Sequence, residues 1–340
     1  MNNVKSMRQR AKLSQAELAV RASVTRQLIS AIEASRHSPS VEAAIRIAGA
    51  LGTDVESLFG SSRASSAPVV LTSKTTPALP GTPCVVSRVG SQVVCAPVRN
   101  LLGASESWAY ADGVFTDTGV DLYSDIDETG LMVAGCDPLL GLISAALNER
   151  RAPRVVSVHL STGAAVEGLR QGLVHGVVVH GPSESLPTPP IDVHRWRFAS
   201  WRVGLATATP HVSLEELAVR QATVAQREPG AGTQHALDRA LASIGSSGLP
   251  GPLVDGHLDA ARHVVAGVAG GITMEAAARA FQLGFIALET HFSELWIDAR
   301  YVQHRGAIAL VGELTAGTTV SRARNLPGYD LSNIGSRLVA

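Results

Sequence analysis

Hydrophobic residues in the first 60 positions recur every three or four residues, which predicts a set of short amphipathic helices. Ser14 followed by Glu17 has the spacing of a capping box and predicts a helix start. Thr25 is expected to cap the next helix, over 26–34. Two further helices are expected before residue 60. The segment 1–60 is therefore predicted to form an all-α domain.

The helix over 26–34 exposes polar side chains near its N-terminus. Its apolar residues form one buried stripe, so Arg26, Gln27 and Ser30 face outward. In a helix-turn-helix domain these positions enter the major groove of DNA. Arg and Gln side chains have the geometry that reads guanine and adenine edges. A generic helical bundle with a solvated polar face is the alternative interpretation.

The charge distribution adds to this picture. Residues 1–60 carry eight Lys or Arg and five Asp or Glu, a net charge of +3, although the whole chain has 29 of each sign. A basic head on a slightly acidic body suits a head that meets phosphate. With 45% hydrophobic and 17% charged residues, the chain is expected to form packed cores rather than a disordered polymer.

The location is predicted from what the sequence lacks. It has no run of about 18 apolar residues, so no membrane association is expected. Its charged N-terminal region is not that of a signal peptide. The three cysteines are odd in number and lack metal-ligand spacing, which favours a reducing cytoplasm.

Residues 61–125 are predicted to contain a linker and a β element. The stretch 61–82 is rich in Ser, Thr and Pro and is expected to be a linker. In 83–125, two β-branched runs flank Gly90-Ser91 and predict a hairpin that places Cys84 near Cys95. This connecting element either joins the head to the body or pairs with another chain.

From residue 126 onward, short apolar runs alternate with helical patterns. Strands are expected over 130–135, 155–160 and 174–179, the first two each followed by a helix, which predicts a parallel sheet. A long strand is expected over 196–206 and a short one over 285–288, and residues 294–298 are expected to cross back between the lobes. Residues 264–280 are predicted to be mainly helical, apart from a short break. The body is therefore assigned to the α/β class.

Three strand-to-helix turns of the body are polar. Cys136-Asp137 and Ser161-Thr162 place polar side chains beside the free N–H groups of helix starts, which can hold anions. Arg227 precedes a glycine-rich loop that leads into another helix, without the Gly-Lys-Ser/Thr of a Walker loop. Helix capping alone is the alternative role for these side chains.

Two stretches carry a family resemblance. The head, with Ser14-Gln-Ala-Glu-Leu-Ala and Val24-Thr-Arg-Gln-Leu-Ile-Ser, resembles the Cro/cI-type (XRE) helix-turn-helix family. The body, with Val133-Ala-Gly-Cys-Asp-Pro, Ser161-Thr-Gly-Ala and Gln226-Arg-Glu-Pro-Gly-Ala-Gly-Thr, resembles a type II periplasmic-binding-protein-like domain of the molybdate-binding kind. The resemblance implies that Gln15 and Arg36 hold phosphates.

The expected site residues form two groups. The DNA-binding residues are predicted to be Gln15, Thr25, Arg26, Gln27, Ser30 and Arg36. The ligand-binding residues are predicted, through the resemblance, to be Cys136, Asp137, Ser161, Thr162, Arg227, Gly230, Gly232 and Thr233. No cofactor, metal or catalytic residue is expected.

The resemblance also implies a two-lobed effector domain over 126–340 that clamps a ligand. Lobe one would comprise 129–198 and 295–340, and lobe two would comprise 199–294. The ligand is expected to be an oxyanion such as molybdate or a small organic metabolite. Asp137 would repel a doubly charged oxyanion, whereas an amine or hydroxyl group would suit Asp137 and Arg227 together.

Three functions are weighed for the whole chain. The first is a one-component transcriptional regulator, a homodimer or higher homo-oligomer, that binds double-stranded DNA under control of the ligand. The second is a DNA-binding protein whose body is only a ligand-free dimerisation module. An enzyme is disfavoured, since the sequence has neither His-x-x-x-His or Cys-x-x-Cys spacing nor a Gly-x-Ser-x-Gly elbow.

Overall fold

The structure is a computed structural model. The chain folds into two compact units, Met1–Ser66 and Ala67–Ala340. Each unit is described by itself. The structure describes residues 4–34, 36–59, 68–72, 78–98, 111–123, 130–150, 152–183, 186–324 and 326–338.

The first unit consists of short helices, as its sequence predicts. They are α1 (Val4–Arg10), α2 (Gln15–Arg21), α3 (Arg26–Glu33), α4 (Val41–Leu51) and α5 (Val55–Phe59). The capping box of Ser14 and Glu17 is formed at the start of α2, and Gly52 ends α4 in the left-handed conformation. Fully buried Leu18, Ile29 and Ile47 hold the helices together.

The second unit begins with a small sheet. Its strands are β1 (Val69–Val70), β2 (Pro83–Val89), β3 (Gln92–Pro97), β4 (Gly113–Thr116) and β5 (Gly119–Leu122). They lie in the order β1-β3-β2-β4-β5, with β1 parallel to β3 and the other neighbours antiparallel. Strands β2 and β3 form the predicted hairpin.

Two features of this region differ from the sequence interpretation. Val69–Val70 falls in the expected linker 61–82 but pairs with β3, and the strands within the element 83–125 belong to a five-stranded sheet. A two-residue strand is too short for its pattern to be recognised. Residues 60–67, 73–77, 99–110 and 124–129, which include parts of that linker and element, lie outside the described residues.

The small sheet packs against the larger part of the same unit. Its Leu71 and Val89 share a buried cluster with Met132. Arg154 donates to both carboxylate oxygens of Asp112, at 2.9 and 2.8 Å. This element therefore attaches firmly to the body of its own chain.

A second sheet of nine strands forms the body. Its strands are β6 (Leu131–Gly135), β7 (Val155–His159), β8 (Gly176–Gly181), β9 (Val193–Thr207), β10 (Val224–Ala225), β11 (Gly270–Met274), β12 (Gly284–Asp298), β13 (Tyr329–Asp330) and β14 (Arg337–Leu338). The main order is β10-β11-β9-β12-β8-β6-β7, and β13 and β14 both pair with β9. Strands β6, β7 and β8 are parallel, as the strand–helix alternation predicts.

Helices cover this sheet. They are α6 (Pro138–Glu149), α7 (Thr162–Arg170), α8 (Leu214–Val219), α9 (Gly232–Ser243), α10 (His257–Val265), α11 (Glu275–Ala280), α12 (Arg305–Leu314) and α13 (Gly317–Ala323), with a 3-10 turn at Ala299–Tyr301. The expected helix over 264–280 is wrong in part, because β11 occupies 270–274. All five residues of this strand are buried, and a strand buried on both faces lacks the alternation of apolar and polar residues that separates strand from helix.

The long antiparallel strands β9 and β12 divide the body into two lobes. In lobe one, β12 pairs with β8 through 292–297, beside β6 and β7. In lobe two, β9 pairs with β11 through 203–207, beside β10. The protein thus has an all-α helix-turn-helix unit and a two-lobed α/β body, which confirms the predicted fold class. None of the helices in the described ranges combines the length and apolar character needed to cross a bilayer.

Candidate functional site

The DNA-binding candidates of the first unit gather around the start of α3. The Thr25 hydroxyl accepts the backbone N–H of Leu28 at 3.1 Å and so caps this helix. Arg26 and Gln27 are exposed, and Ser30, one turn further along, is half-buried. These side chains therefore lie at the helix end that a helix-turn-helix domain presents to base edges.

The two expected phosphate contacts have different surroundings. Arg36 is exposed. The amide nitrogen of Gln15 donates to Glu33 at 2.8 Å, and Glu33 also accepts from Arg8 at 2.6 Å. This ion pair fixes the Gln15 side chain at the start of α2.

In the second unit, side chains from both lobes converge where strands end and helices begin. Cys136 follows β6 and His180 lies near the end of β8, both in lobe one, whereas His257 is the first residue of α10 in lobe two. The sulfur of Cys136 lies 3.0 Å from Nε2 of His180. One ligand atom from each of the three residues lies within 4.8 Å of the others.

The lobe-two side of this site contains buried polar atoms without partners. Arg227 is 2% exposed, and its Nε and Nη1 have no hydrogen-bond acceptor within the part of the chain that the structure describes. The same is true of the Thr233 hydroxyl and of both ring nitrogens of His257. Arg227 is held in place by its Nη2, which donates to the carbonyl of Asp255 at 3.0 Å. Native proteins rarely bury polar groups in this state.

The lobe-one side is different, because both oxygens of its buried carboxylate, Asp137, accept hydrogen bonds from the protein. Oδ1 of Asp137 accepts from the Tyr329 hydroxyl at 2.6 Å and from the backbone N–H of Leu139 at 3.0 Å. Oδ2 accepts from Trp201 Nε1 at 3.0 Å, and the Ser293 hydroxyl lies 3.2 Å both from Oδ2 and from the carbonyl oxygen of Ala199. Both carboxylate oxygens are thus engaged within the protein, and the ligand contact predicted from the sequence stays a prediction. Asp137 joins α6 to both crossing strands and to β13.

The pair Ser161-Thr162 is also engaged within the protein. The Ser161 hydroxyl accepts the N–H of Ala164 at 3.4 Å and caps α7. The Thr162 hydroxyl lies 3.3 Å from the backbone nitrogen of His180 and 3.4 Å from its oxygen. Both side chains are buried and position the end of β8, so the capping interpretation accounts for Ser161.

The two lobes approach each other at glycines, two of which, Gly230 and Gly232, belong to the predicted glycine-rich loop after Arg227. A Cβ at Gly163 of lobe one would lie 3.0 Å from the carbonyl oxygen of Gly230 in lobe two. A Cβ at Gly232 would lie 3.2 Å from the His180 ring. Only glycine allows the helix starts to approach this closely without a shift of the backbone.

A chain of hydrogen bonds orients the His180 ring. Glu289 Oε1 lies 2.5 Å from Nε2 of His291, and Nδ1 of His291 lies 2.9 Å from Nδ1 of His180. We assign the tautomers from this pattern: His291 donates to the carboxylate, and His180 donates to His291. Nε2 of His180 then presents its lone pair to Cys136.

Burial controls the charges in the site. It lowers the pKa values of His180 and His257 well below the usual 6.5, so both rings are neutral at pH 7. Burial also raises the pKa of the Cys136 thiol to about 11, although the guanidinium of Arg227 opposes the rise. Arg227 therefore brings a positive charge into otherwise neutral surroundings.

The structure brings most of the predicted ligand residues together, and it adds four that the sequence interpretation missed. The additions are His180, His257, His291 and Trp201. The rings of His180 and Trp201 each lie within 6.1 Å of the other three, between centroids. His257 is among the residues that carry the family resemblance. The other sequence signal is position, since His180 lies near the end of a strand and His257 opens a helix. Gly230 is exposed, and its contact with α7 is through the backbone.

Two family models match the chain. A model described as a PBP superfamily domain matches residues 144–315, and a model described as a helix-turn-helix matches residues 4–58. No curated protein matches the chain by sequence.

Solved structures resemble the body. The tungstate ABC transporter structure from Geobacter sulfurreducens is 15% identical, with a TM-score of 0.41, and the match covers 56% of this chain and 96% of that one. A phosphate-bound ABC transporter substrate-binding protein from Clostridium perfringens, described as a putative one, is 9% identical, with a TM-score of 0.43 and coverages of 58% and 97%. The effector-binding domain of QuiR in complex with shikimate is 11% identical, with a TM-score of 0.42 and coverages of 55% and 95%.

Proposed function

The chain belongs to the PBP superfamily, and on this premise we propose that it is a transcriptional regulator whose binding to operator DNA is controlled by a small anion held between the two lobes of its body. The helix-turn-helix match at residues 4–58 supports the DNA-binding part. Because its target is DNA, the protein acts in the cytoplasm. No catalytic role is assigned to the body.

The observation that carries the ligand proposal is the buried guanidinium of Arg227. Two of its nitrogens lack acceptors among the described residues, and burial of an unpaired cation costs several kcal/mol. An anion would supply those acceptors and the opposite charge, and the fork of Arg suits a carboxylate or an oxyanion. The Thr233 hydroxyl and a neutral His257 ring add donors beside it.

The state of Asp137 favours an anion over an amine. Both of its oxygens already accept hydrogen bonds from protein donors, with which an amine would have to compete. Burial also raises the pKa of Asp137, which disfavours its charged form. The repulsion of an oxyanion expected from the sequence is therefore reduced.

On the DNA side, we assign base contacts to Arg26, Gln27 and Ser30 and phosphate contacts to Gln15 and Arg36. Thr25 holds the start of the recognition helix. A homodimer would place two heads on half-sites about one helical turn apart. The ligand can change operator affinity only if it binds one arrangement of the lobes more tightly than the other.

The ligand half is tested by thermal shift on the full chain with molybdate, tungstate, sulfate, phosphate and small mono- and dicarboxylates. At least one anion is expected to raise the melting temperature of the wild type, and Arg227→Met is expected to abolish the increase. Arg220→Met, an exposed arginine paired only with Glu216 among the described residues, is the matched control. Stabilisation by no compound would favour the dimerisation module, and product formation would favour an enzyme.

The DNA half is tested by footprinting and by affinity measurements with and without the stabilising anion. Arg26→Ala is expected to weaken operator binding by about 1–3 kcal/mol and to relax base preference, whereas Arg36→Ala should reduce the salt dependence by about one unit. Arg46→Ala on α4 is the control, since its exposed side chain pairs with Glu42. Equal affinity for all sequences in the wild type would contradict the assignment.

A further inference from the structure

We propose that the same cleft binds a transition-metal ion of the zinc or copper class through Cys136, His180 and His257. This inference rests on the proposed function in one respect, because the metal ion would lie in the cleft that is proposed to bind the anion. Nothing in the family matches assigns these residues, and the spacing of the three in the sequence follows no metal motif.

The donor set itself selects the class of metal. One sulfur and two imidazole nitrogens converge within 4.8 Å, on side chains that are only 1–3% exposed. Thiolate and imidazole are the ligands that zinc, copper and nickel prefer, whereas calcium and magnesium require oxygen. Two lobes supply the set, so the ion would bridge them.

His257 gives an independent reason. Its ring is 1% exposed, and neither ring nitrogen has a hydrogen-bond partner in the described ranges. A buried polar ring in this condition costs free energy. Coordination through one nitrogen would remove part of that cost.

The hydrogen-bond chain behind His180 prepares it as a ligand. Glu289 and His291 fix its tautomer, with the Nδ1 proton turned away from the cleft and the Nε2 lone pair turned toward Cys136. Metal-binding histidines almost always have such a partner on the other nitrogen. Before metal binds, the Cys136 S–H donates to that lone pair across 3.0 Å. Metal binding would release this proton to solvent and leave the thiolate on the ion.

The spacing allows a tetrahedral site with one open position. Bonds of about 2.3 Å to sulfur and 2.0 Å to nitrogen place ligands about 3.5 Å apart, so the donors need to shift by about 1 Å. Three protein ligands are characteristic of sites that accept a further group. A divalent ion with one thiolate keeps a positive charge beside Arg227, so an anion suits the fourth position. Metal and anion should therefore strengthen each other's binding.

The test uses the full chain, freed of metal by a chelator and then titrated with Co²⁺, followed by Zn²⁺ competition. One equivalent of Co²⁺ is expected to give a thiolate-to-cobalt charge-transfer band that zinc removes. Cys136→Ser should abolish the band, and His257→Gln should weaken zinc binding at least 100-fold. Cys84→Ser, a buried free thiol of the small sheet, is the matched control and should leave both unchanged.

A second variant distinguishes loss of metal coordination from loss of the folded structure. Glu289→Gln leaves all three ligands in place and should weaken zinc binding about 10–100-fold, because it loosens the tautomer of His180. Absence of the band in the wild type, or a band that persists in Cys136→Ser, would overturn the metal site.

Arg227→Met distinguishes the two proposals. It should abolish stabilisation by anions alone yet leave the cobalt charge-transfer band in place, because Arg227 supplies none of the three metal ligands. Anion stabilisation without a cobalt band would refute only the metal site. A cobalt band without anion-dependent DNA binding would refute only the proposed control by an anion.

Discussion

The two walls of the cleft differ in how far the protein satisfies their polar groups. On the lobe-one wall, Asp137 and Thr162 are hydrogen-bonded within the protein. On the lobe-two wall, Arg227, Thr233 and His257 keep buried nitrogens and oxygens without partners among the described residues. Unsatisfied buried groups cost about 1–3 kcal/mol each, and a bound ligand would offset that cost. Under the proposed function, lobe one supplies a preformed surface and lobe two supplies recognition.

The largest effect is expected at Arg227. Arg227→Met should weaken binding of the stabilising anion by at least ~100-fold, since each hydrogen bond to a charged group contributes about 1.5–3 kcal/mol. The unliganded variant should be as stable as the wild type or more so, because an unpaired buried cation is removed. Calorimetric titration and denaturant unfolding measure the two quantities. A strong loss of stability with unchanged affinity would reverse the roles of the walls.

On the lobe-one wall, the loss of a polar side chain should lower the stability of the protein more than its affinity for the anion. Asp137→Ala leaves the Trp201 indole N–H and the Tyr329 hydroxyl without their acceptor, so the free energy of unfolding should fall by about 3 kcal/mol. Asp121→Ala, at an exposed position, is the control and should change it by less than about 0.5 kcal/mol. Urea unfolding followed by tryptophan fluorescence provides the measurement.

A smaller effect is expected where the walls touch. Gly163→Ala places a Cβ 3.0 Å from the Gly230 carbonyl, and overpacking of this kind costs about 1–3 kcal/mol. We expect anion affinity to fall about tenfold while unliganded stability stays the same, because the lobes can separate. Gly141→Ala in α6, where a Cβ meets nothing within 4 Å, should leave affinity unchanged.

The smallest effect concerns pH and involves both walls. His180 of lobe one and His257 of lobe two have folded-state pKa values that burial lowers well below 6.5. Between pH 6.5 and those values the unfolded chain binds more protons, so the free energy of unfolding should fall as pH falls, by up to about 1.4 kcal/mol per pH unit for each ring. Denaturant unfolding at pH 6.5 and 5.5 measures this slope. His257→Gln should reduce it, and an unchanged slope would contradict the pKa direction.

The sequence allowed the helix-turn-helix head and the parallel half of the body to be predicted, because caps and periodicity are local. Ser14, Thr25 and Ser161 all cap the helices that their spacing predicted. Arg227 was identified from its glycine-rich loop and lies buried in the cleft.

What could not be predicted depends on residues far apart in the chain. The donors to Asp137 come from positions 201, 293 and 329, and no spacing around Asp137 reveals them. His180 and His257 meet Cys136 only because β6 and β8 are neighbours and the lobes close. A single histidine in a sequence is usually structural, so their convergence required the topology.

The attachment of the small sheet to lobe one has a consequence for how such a protein could be altered. Along the chain, the helix-turn-helix unit is followed by this sheet, and Arg154 and Asp112 fasten the sheet to lobe one. The unsatisfied groups proposed to select the ligand lie in lobe two, away from this connection. Loops of lobe two could therefore be exchanged to make a biosensor for another anion, while the path from the body to the DNA-binding head keeps its wild-type sequence.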